Sequence, residues 1–184
     1  MSLLPHTMYF VGILCPPEIE EKVLQFKNWM REHYGCIVAL KSPGHLTLVP
    51  PFWMKTESEQ ELMQTLQSFQ NEGAEFEIRL NGFSHFTNRV MFIQVEENPA
   101  LLELKNRVED HFQNIFGELI KKDERPFHPH VTIANRDLRP GDYESAWPHF
   151  EKKEFNKSFN AKTISLLKLQ QGRWEVIGEN HFVR

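Results

Sequence analysis

Pro129-His130-Val131-Thr132-Ile133 and, upstream of it, His45-Leu46-Thr47-Leu48 present the same order of His, apolar residue, Thr and apolar residue. In an extended strand, successive side chains point to opposite faces. His45 and Thr47 therefore share one face, as do His130 and Thr132, with the aliphatic residues buried behind them. Each segment reads as a short strand that offers an imidazole and a hydroxyl to a cleft. The rest of the chain reads as the means of bringing these two strands face to face.

Working outward, the two segments sit in similar surroundings. Tyr9-Phe10-Val11-Gly12-Ile13-Leu14 is a continuous apolar run closed by Pro16-Pro17, the pattern of a buried strand. A helix opens at Glu18, with Ile19, Val23, Phe26 and Met30 at helical spacing and Gly35 at its end. Ile37 to Leu48 is extended, broken at Ser42-Pro43-Gly44, and Pro50-Pro51 is expected to end the motif strand. Glu57 to Asn71 reads as a second helix on Leu62, Leu66 and Phe69, with Gly73 beyond it. Phe76 to Leu80 reads as a strand, Asn81-Gly82 as a turn and Val90 to Val95 as a further strand. Pro99 starts a helix with Leu101, Leu104, Val108, Phe112 and Ile115 toward the core, and the connector from Lys121 to Pro126, Asp123 included, leads to the second motif. Gly141 to Phe150 suits a short helix, and Phe155 to Leu169 and Trp174 to Val183 read as two strands around Gln170-Gln171-Gly172-Arg173.

Phe10 precedes His45 at nearly the sequence distance at which Phe92 precedes His130, with strand, helix and His-bearing strand following in that order each time. The expected architecture is α+β: two similar, interleaved lobes of mostly antiparallel sheet, helices packed outside, residues 1–184 forming one domain with a groove between the lobes.

Composition bounds the function. Hydrophobic content of 40% and charged content of 25% over 184 residues are those of an ordinary globular chain. A net charge of −4 argues against a protein that coats nucleic acid through its phosphates, yet leaves room for a compact anion site. No apolar run approaches the ~20 residues that span a bilayer. The start, Met1-Ser2-Leu3-Leu4-Pro5-His6, lacks a signal-peptide pattern, so the expected location is the cytoplasm. Cys15 and Cys36 have neither disulfide-framework nor zinc spacing and read as buried thiols.

The bare His-x-Thr pattern is cheap: nine His and seven Thr give about 0.3 chance matches, and three occur. The third, His85-Phe86-Thr87, is a control, because it lies near turn residues and has no aliphatic residue after its Thr. Only the other two sit inside apolar strands in equivalent places of a repeat. Zinc at His128 and His130 is the rival reading, but no cysteine lies near and no third ligand is suitably spaced, so no metal or cofactor is expected.

Two imidazoles across a cleft suit acid–base catalysis, and two hydroxyls beside them suit the oxygens of a phosphate. Opening a 2′,3′-cyclic phosphate needs one group to take a proton from the attacking oxygen and another to give one to the leaving oxygen. The paired motifs meet that demand without a metal.

The duplicated His-x-Thr-x pattern in these strand settings resembles the 2H phosphoesterase superfamily, nearest to the LigT-like 2′-5′ RNA ligase and RNA 2′,3′-cyclic phosphodiesterase group. Met8 to Leu14 resembles its first strand, Phe127 to Ala134 its second motif and Ile164 to Val176 its closing hairpin. The resemblance implies a bilobal fold with a pseudo-twofold axis. It implies His45 and His130 as the acid/base pair, His130 activating water and His45 acting as acid, with Thr47 and Thr132 clamping the phosphate. Implied substrates are RNA 2′,3′-cyclic phosphate ends or cyclic nucleotides, acted on by a monomer with no membrane partner; a nucleotide-binding module without turnover is the alternative. The chain departs from the pattern at Val49-Pro50-Pro51-Phe52 and at Asn135, where the family often has Arg; Arg136 follows one residue later and, in a regular strand, shares the face of His130 and Thr132. Lys41, Arg89 and Arg136 are candidate cations for the groove, and Phe52 or Phe86 candidates for stacking on a base.

Overall fold

The first motif strand grows from a stretch that can only be buried. The computed structural model of the protein describes residues 5–70, 75–122 and 124–182, so the readings that touch Met1 to Leu4, Asn71, Gly73, Asp123 and Val183 lie outside it. Strand β1 (His6–Leu14) is the apolar run around Val11, and it pairs antiparallel with β2 (His45–Lys55) after helix α1 (Pro17–Tyr34). Pro17 at the first helical position and Glu18 and Glu20 in the first turn favour the start of α1, and Gly35 at φ 70° ends it with its N–H on Arg31 O. The chain continues through α2 (Glu59–Ser68), β3 (Phe76–Phe86), β4 (Val90–Val95) and α3 (Pro99–Phe116) to β5 (His130–Ala134). It closes with α4 (Pro140–Glu151), β6 (Asn156–Ala161), β7 (Thr163–Gln170) and β8 (Arg173–His181).

The strands form two antiparallel four-stranded sheets, in the orders β2-β1-β7-β8 and β5-β4-β3-β6. The motif strand is an edge strand in each, hydrogen-bonded to the first strand of its own repeat unit. The crossover helices trade sides: α1 lies against β5 and α3 against β2, while β2 and β5 approach each other. The two repeat units therefore bury their apolar faces on one another. Side chains such as Leu46, Leu48, Val108, Val131 and Ile164 are fully buried there, each stabilising the fold by roughly 1.5–3 kcal/mol.

Several sequence expectations change in detail. Pro50-Pro51 does not end β2. The register passes from Val11↔Val49 to Tyr9↔Phe52, so the two prolines bulge opposite Phe10 and the strand runs on to Lys55. An edge strand tolerates this because its outer N–H groups have no ladder partner to lose. Asn81-Gly82 is likewise a bulge within β3 and not a turn: Gly82 takes φ 67° between the pairs Leu80↔Val95 and Phe83↔Ile93. Val38–Lys41 winds into a 3-10 turn within the stretch read as extended, and Thr56–Ser58 does so before α2.

The tail from Phe155 to Leu169 is two strands in different sheets. β6 pairs with β3 and β7 with β1, and this exchange stitches the two halves together. Ile115 faces outward at 46% exposure, whereas Lys105 and Glu109 take the buried stripe of α3. Gly12 is required by a close approach: opposite Thr47, any Cβ there would lie 2.7 Å from Leu46 O.

Candidate active site

His45 opens β2 and His130 opens β5, each just after a Pro-containing segment, and each ring is held in the same way. His45 Nδ1 lies 2.7 Å from Pro43 O, and His130 Nδ1 lies 2.7 Å from His128 O. A carbonyl oxygen only accepts, so in both residues Nδ1 carries the hydrogen and Nε2 is left as the lone-pair nitrogen. The control motif differs. His85 Nδ1 contacts the carbonyl of Thr87, two residues ahead instead of two behind, and Thr87 lies in the β3–β4 turn at φ 51°.

An aromatic ring backs each imidazole. Phe10 from β1 packs on His45 at 4.6 Å between centroids, and Phe92 from β4 packs on His130 at 5.0 Å. These are the two phenylalanines at equivalent places of the repeat. Phe86 adds an edge-on contact to His130 at 5.0 Å, and Trp174 meets Phe10 at 4.7 Å. Such surroundings strip water from the rings and disfavour the charged form. Burial pushes the His45 imidazole down to about 4 against the pull of Pro43 O, with Lys27 and His130 adding repulsion. His130 is also lowered, chiefly by burial. That His130 registers on His45 places the two imidazoles within electrostatic reach of each other.

A groove of about 590 Å³ separates the two edge strands. Thr47 lines it from β2; His130 and Thr132 line it from β5. Among the described residues, neither threonine hydroxyl and neither Nε2 has a hydrogen-bond partner within the protein. One acceptor nitrogen and two free hydroxyls thus face the groove from opposite sheets, while His45, which opens the same strand as Thr47, is not among the residues that line it. The charged side chains in the groove lining, Lys105 and Arg125, are both cationic. Lys105 is nearly buried on α3, with Nζ 2.8 Å from Glu109 Oε2 and 6.0 Å from the Phe127 ring centroid. Phe86, Phe127 and Pro129 supply apolar wall. Among the described residues there is no group of three His, Cys, Asp or Glu side chains able to hold a metal ion.

The other expected contacts are elsewhere. Arg136 does not share the face of His130 and Thr132, because β5 stops at Ala134 and Arg136 turns at φ 46° into solvent. Asn135 lines the groove in its place, with Oδ1 buried and unpaired. Lys41 is exposed at the end of its 3-10 turn and Arg89 is exposed in the β3–β4 turn; neither lines the groove. Phe52 is buried at 7% exposure and stacks on Tyr9, so it belongs to the core. Of the two stacking candidates only Phe86 reaches the groove. Sequence reasoning missed Lys105 because α3 reads as a plain amphipathic helix. The available signal was that positions 105 and 109 fall inside the stripe of Leu101, Leu104, Val108 and Phe112.

Two edge strands, one from each sheet, thus carry His and Thr in the same order. The chain belongs to the 2′-5′ RNA ligase superfamily, whose family model matches residues 15–173. Its type is therefore that of a phosphoesterase or ligase enzyme. Among solved structures, TT0787 of Thermus thermophilus is similar at a TM-score of 0.69 and 21% identity, over 94% of this chain and 96% of that one. E. coli LigT complexed with 3′-AMP is similar at a TM-score of 0.65 and 21% identity, over 98% of this chain and 100% of that one. LigT has also been solved with ATP, NADP+ and phosphate. The MHV ns2 PDE domain is similar at a TM-score of 0.52 and 15% identity, over 88% of this chain and 99% of that one. These likenesses are of fold. No curated protein matches the chain. Among the described residues no helix is long and apolar enough to cross a membrane.

Proposed function

We propose that this protein is a metal-independent cyclic phosphodiesterase that opens 2′,3′-cyclic phosphates of RNA ends or nucleotides to monophosphates, and that with an RNA 5′-hydroxyl in place of water as the nucleophile the same opening, itself reversible, is 2′-5′ ligation. It works as a cytoplasmic monomer, its two lobes forming one catalytic domain over residues 1–184. The observation that carries the reading is the matched pair of Nδ1-to-carbonyl hydrogen bonds, which leave two Nε2 atoms free beside two unpartnered threonine hydroxyls.

The chemistry follows from that pairing. Thr47 and Thr132 donate hydrogen bonds to the non-bridging oxygens of the cyclic phosphate. His130 Nε2 takes a proton from water as the water oxygen bonds to phosphorus. The bond from phosphorus to one ribose oxygen breaks, and His45 Nε2–H gives that oxygen its proton. His130 ends protonated and His45 neutral, and exchange with solvent restores the pair. For His45 to begin protonated near neutral pH, its low value in the free protein must rise when the phosphate anion binds; once charged, it is a strong proton donor to the leaving alkoxide. Lys105 and Arg125 add positive potential and Phe86 and Phe127 an apolar wall for a nucleotide. The nucleotides bound by LigT are of that chemistry.

Turnover of a 2′,3′-cyclic mononucleotide and of a cyclic-ended oligoribonucleotide, each with EDTA present, tests the reading. Turnover is expected to persist in EDTA, and His45→Ala and His130→Ala are each expected to abolish it in a folded protein. Nucleotide binding with no turnover of either substrate would identify a binding module instead.

A further inference from the structure

The turn that delivers His45 is gripped from behind by two charged side chains of α1. Lys27 is only 2% exposed, and its Nζ donates to Ser42 O at 2.8 Å. Glu20, seven residues earlier and so on the same helical face, accepts from Gly44 N at 2.6 Å. Gly44 O in turn accepts from Cys15 N at 2.8 Å. Between these anchors lies Pro43, whose carbonyl holds His45 Nδ1. A Cβ at position 44 would lie 2.5 Å from Glu20 Oε2, so any larger residue there would displace the carboxylate that holds Gly44 N.

We propose that Lys27 and Glu20 are positioning residues for His45, fixing the Ser42-Pro43-Gly44 turn so that the imidazole keeps its Nδ1–H on Pro43 O and presents Nε2 to the groove. The inference rests on the reading of His45 as a proton-transfer group. Burying an ammonium and a carboxylate costs more than an apolar pair of similar size would, so packing alone does not call for them here. Burial lowers Lys27 and raises Glu20, while each opposes the other's shift. The charged or titratable groups that bear on His45 are Lys27 and His130; those that bear on Lys27 are Glu20 and Cys15.

The test compares Lys27→Met, Glu20→Leu and the conservative Glu20→Gln, which keeps an acceptor for Gly44 N. Each is measured for kcat, KM and the ¹⁵N shifts and pH titration of His45, with thermal melting as the check on folding. Lys27→Met and Glu20→Leu are expected to lower kcat by about 10–100-fold with KM little changed, and Glu20→Gln to restore most of it. In Lys27→Met, His45 is expected to lose its single-tautomer ¹⁵N signature and to titrate closer to an ordinary histidine. Should one charged residue be needed for folding, the variants of the other carry the measurement. Unchanged His45 shifts and titration in folded Lys27→Met or Glu20→Leu would overturn the positioning role, whatever the activity. Full activity in His45→Ala would overturn the underlying catalytic reading instead, and the two failures are told apart by that variant.

Discussion

His45 and Pro43 are joined by a 2.7 Å hydrogen bond that runs backward along the chain, and His130 repeats it with His128. Because both acceptors are main-chain carbonyls, the two imidazoles are forced into the same tautomer without a carboxylate partner. On the proposed reading, the site presents two neutral bases in the same tautomer, and either can carry the acid's proton once an anion is bound.

The lowered values of His45 and His130 make anion binding proton-linked. Both rings are neutral in the free protein near pH 7, and a bound phosphate favours the imidazolium. Binding of inorganic phosphate is expected to take up protons and to tighten as pH falls from about 7 toward 5. Calorimetry in two buffers of different ionisation enthalpy reads this directly. Equal observed enthalpies would contradict it.

The same shift sets an acid limit on stability. His45 has an ordinary value of 6.5 when unfolded and about 4 in the fold. The unfolded chain therefore binds the extra proton first, and this contribution is complete above pH 6.5 and is lost as pH falls toward 4. Urea midpoints are expected to drop over that window, and to drop less in His45→Phe. An identical acid slope in that variant would count against the assignment.

Thr47 and Thr132 are expected to act on the phosphate and not on the fold. Their hydroxyls have no partner within the described protein, and valine keeps the β-branched shape that suits a strand. Each Thr→Val change should lower kcat/KM roughly 10–100-fold, the cost of one hydrogen bond to a charged group. Melting temperatures should stay within about 2 °C of the original protein. A large loss of stability with unchanged kinetics would reverse the assignment.

Lys105 is expected to serve both fold and groove. Lys105→Met removes an ion-pair partner of the nearly buried Glu109 and a cation from the groove wall. The expected result is a loss of up to about 3 kcal/mol in unfolding free energy together with a severalfold rise in KM for a nucleotide substrate. Chemical denaturation and steady-state kinetics on the same preparation check both halves.

How much was legible in the sequence depends on the range of the force involved. Period-two alternation around His45 and His130 needs only neighbouring residues, so the strands, their inward faces and the repeat could be read directly. So could α1 and α3, whose prolines, caps and stripes are local signals. The prolines at 50 and 51 misled because their effect depends on strand position, and nothing local marks β2 as an edge. The tail between Phe155 and Leu169 misled for the same reason. One continuous extended segment divides between two sheets only because β3 and β1 each have an open side.

The sequence by itself determined the chemistry on offer: two His-Thr pairs, each on the face of a short strand, in a duplicated strand–helix–strand unit. Tertiary structure decided what stands around them. It buried Lys105 beside the groove, turned Arg136 out through a left-handed residue, packed Phe52 into the core and put Lys27 behind the turn that holds His45. Those outcomes come from contacts between residues far apart in the chain, made where α1 and α3 cross to the opposite sheet, and no local pattern encodes which side chain meets which.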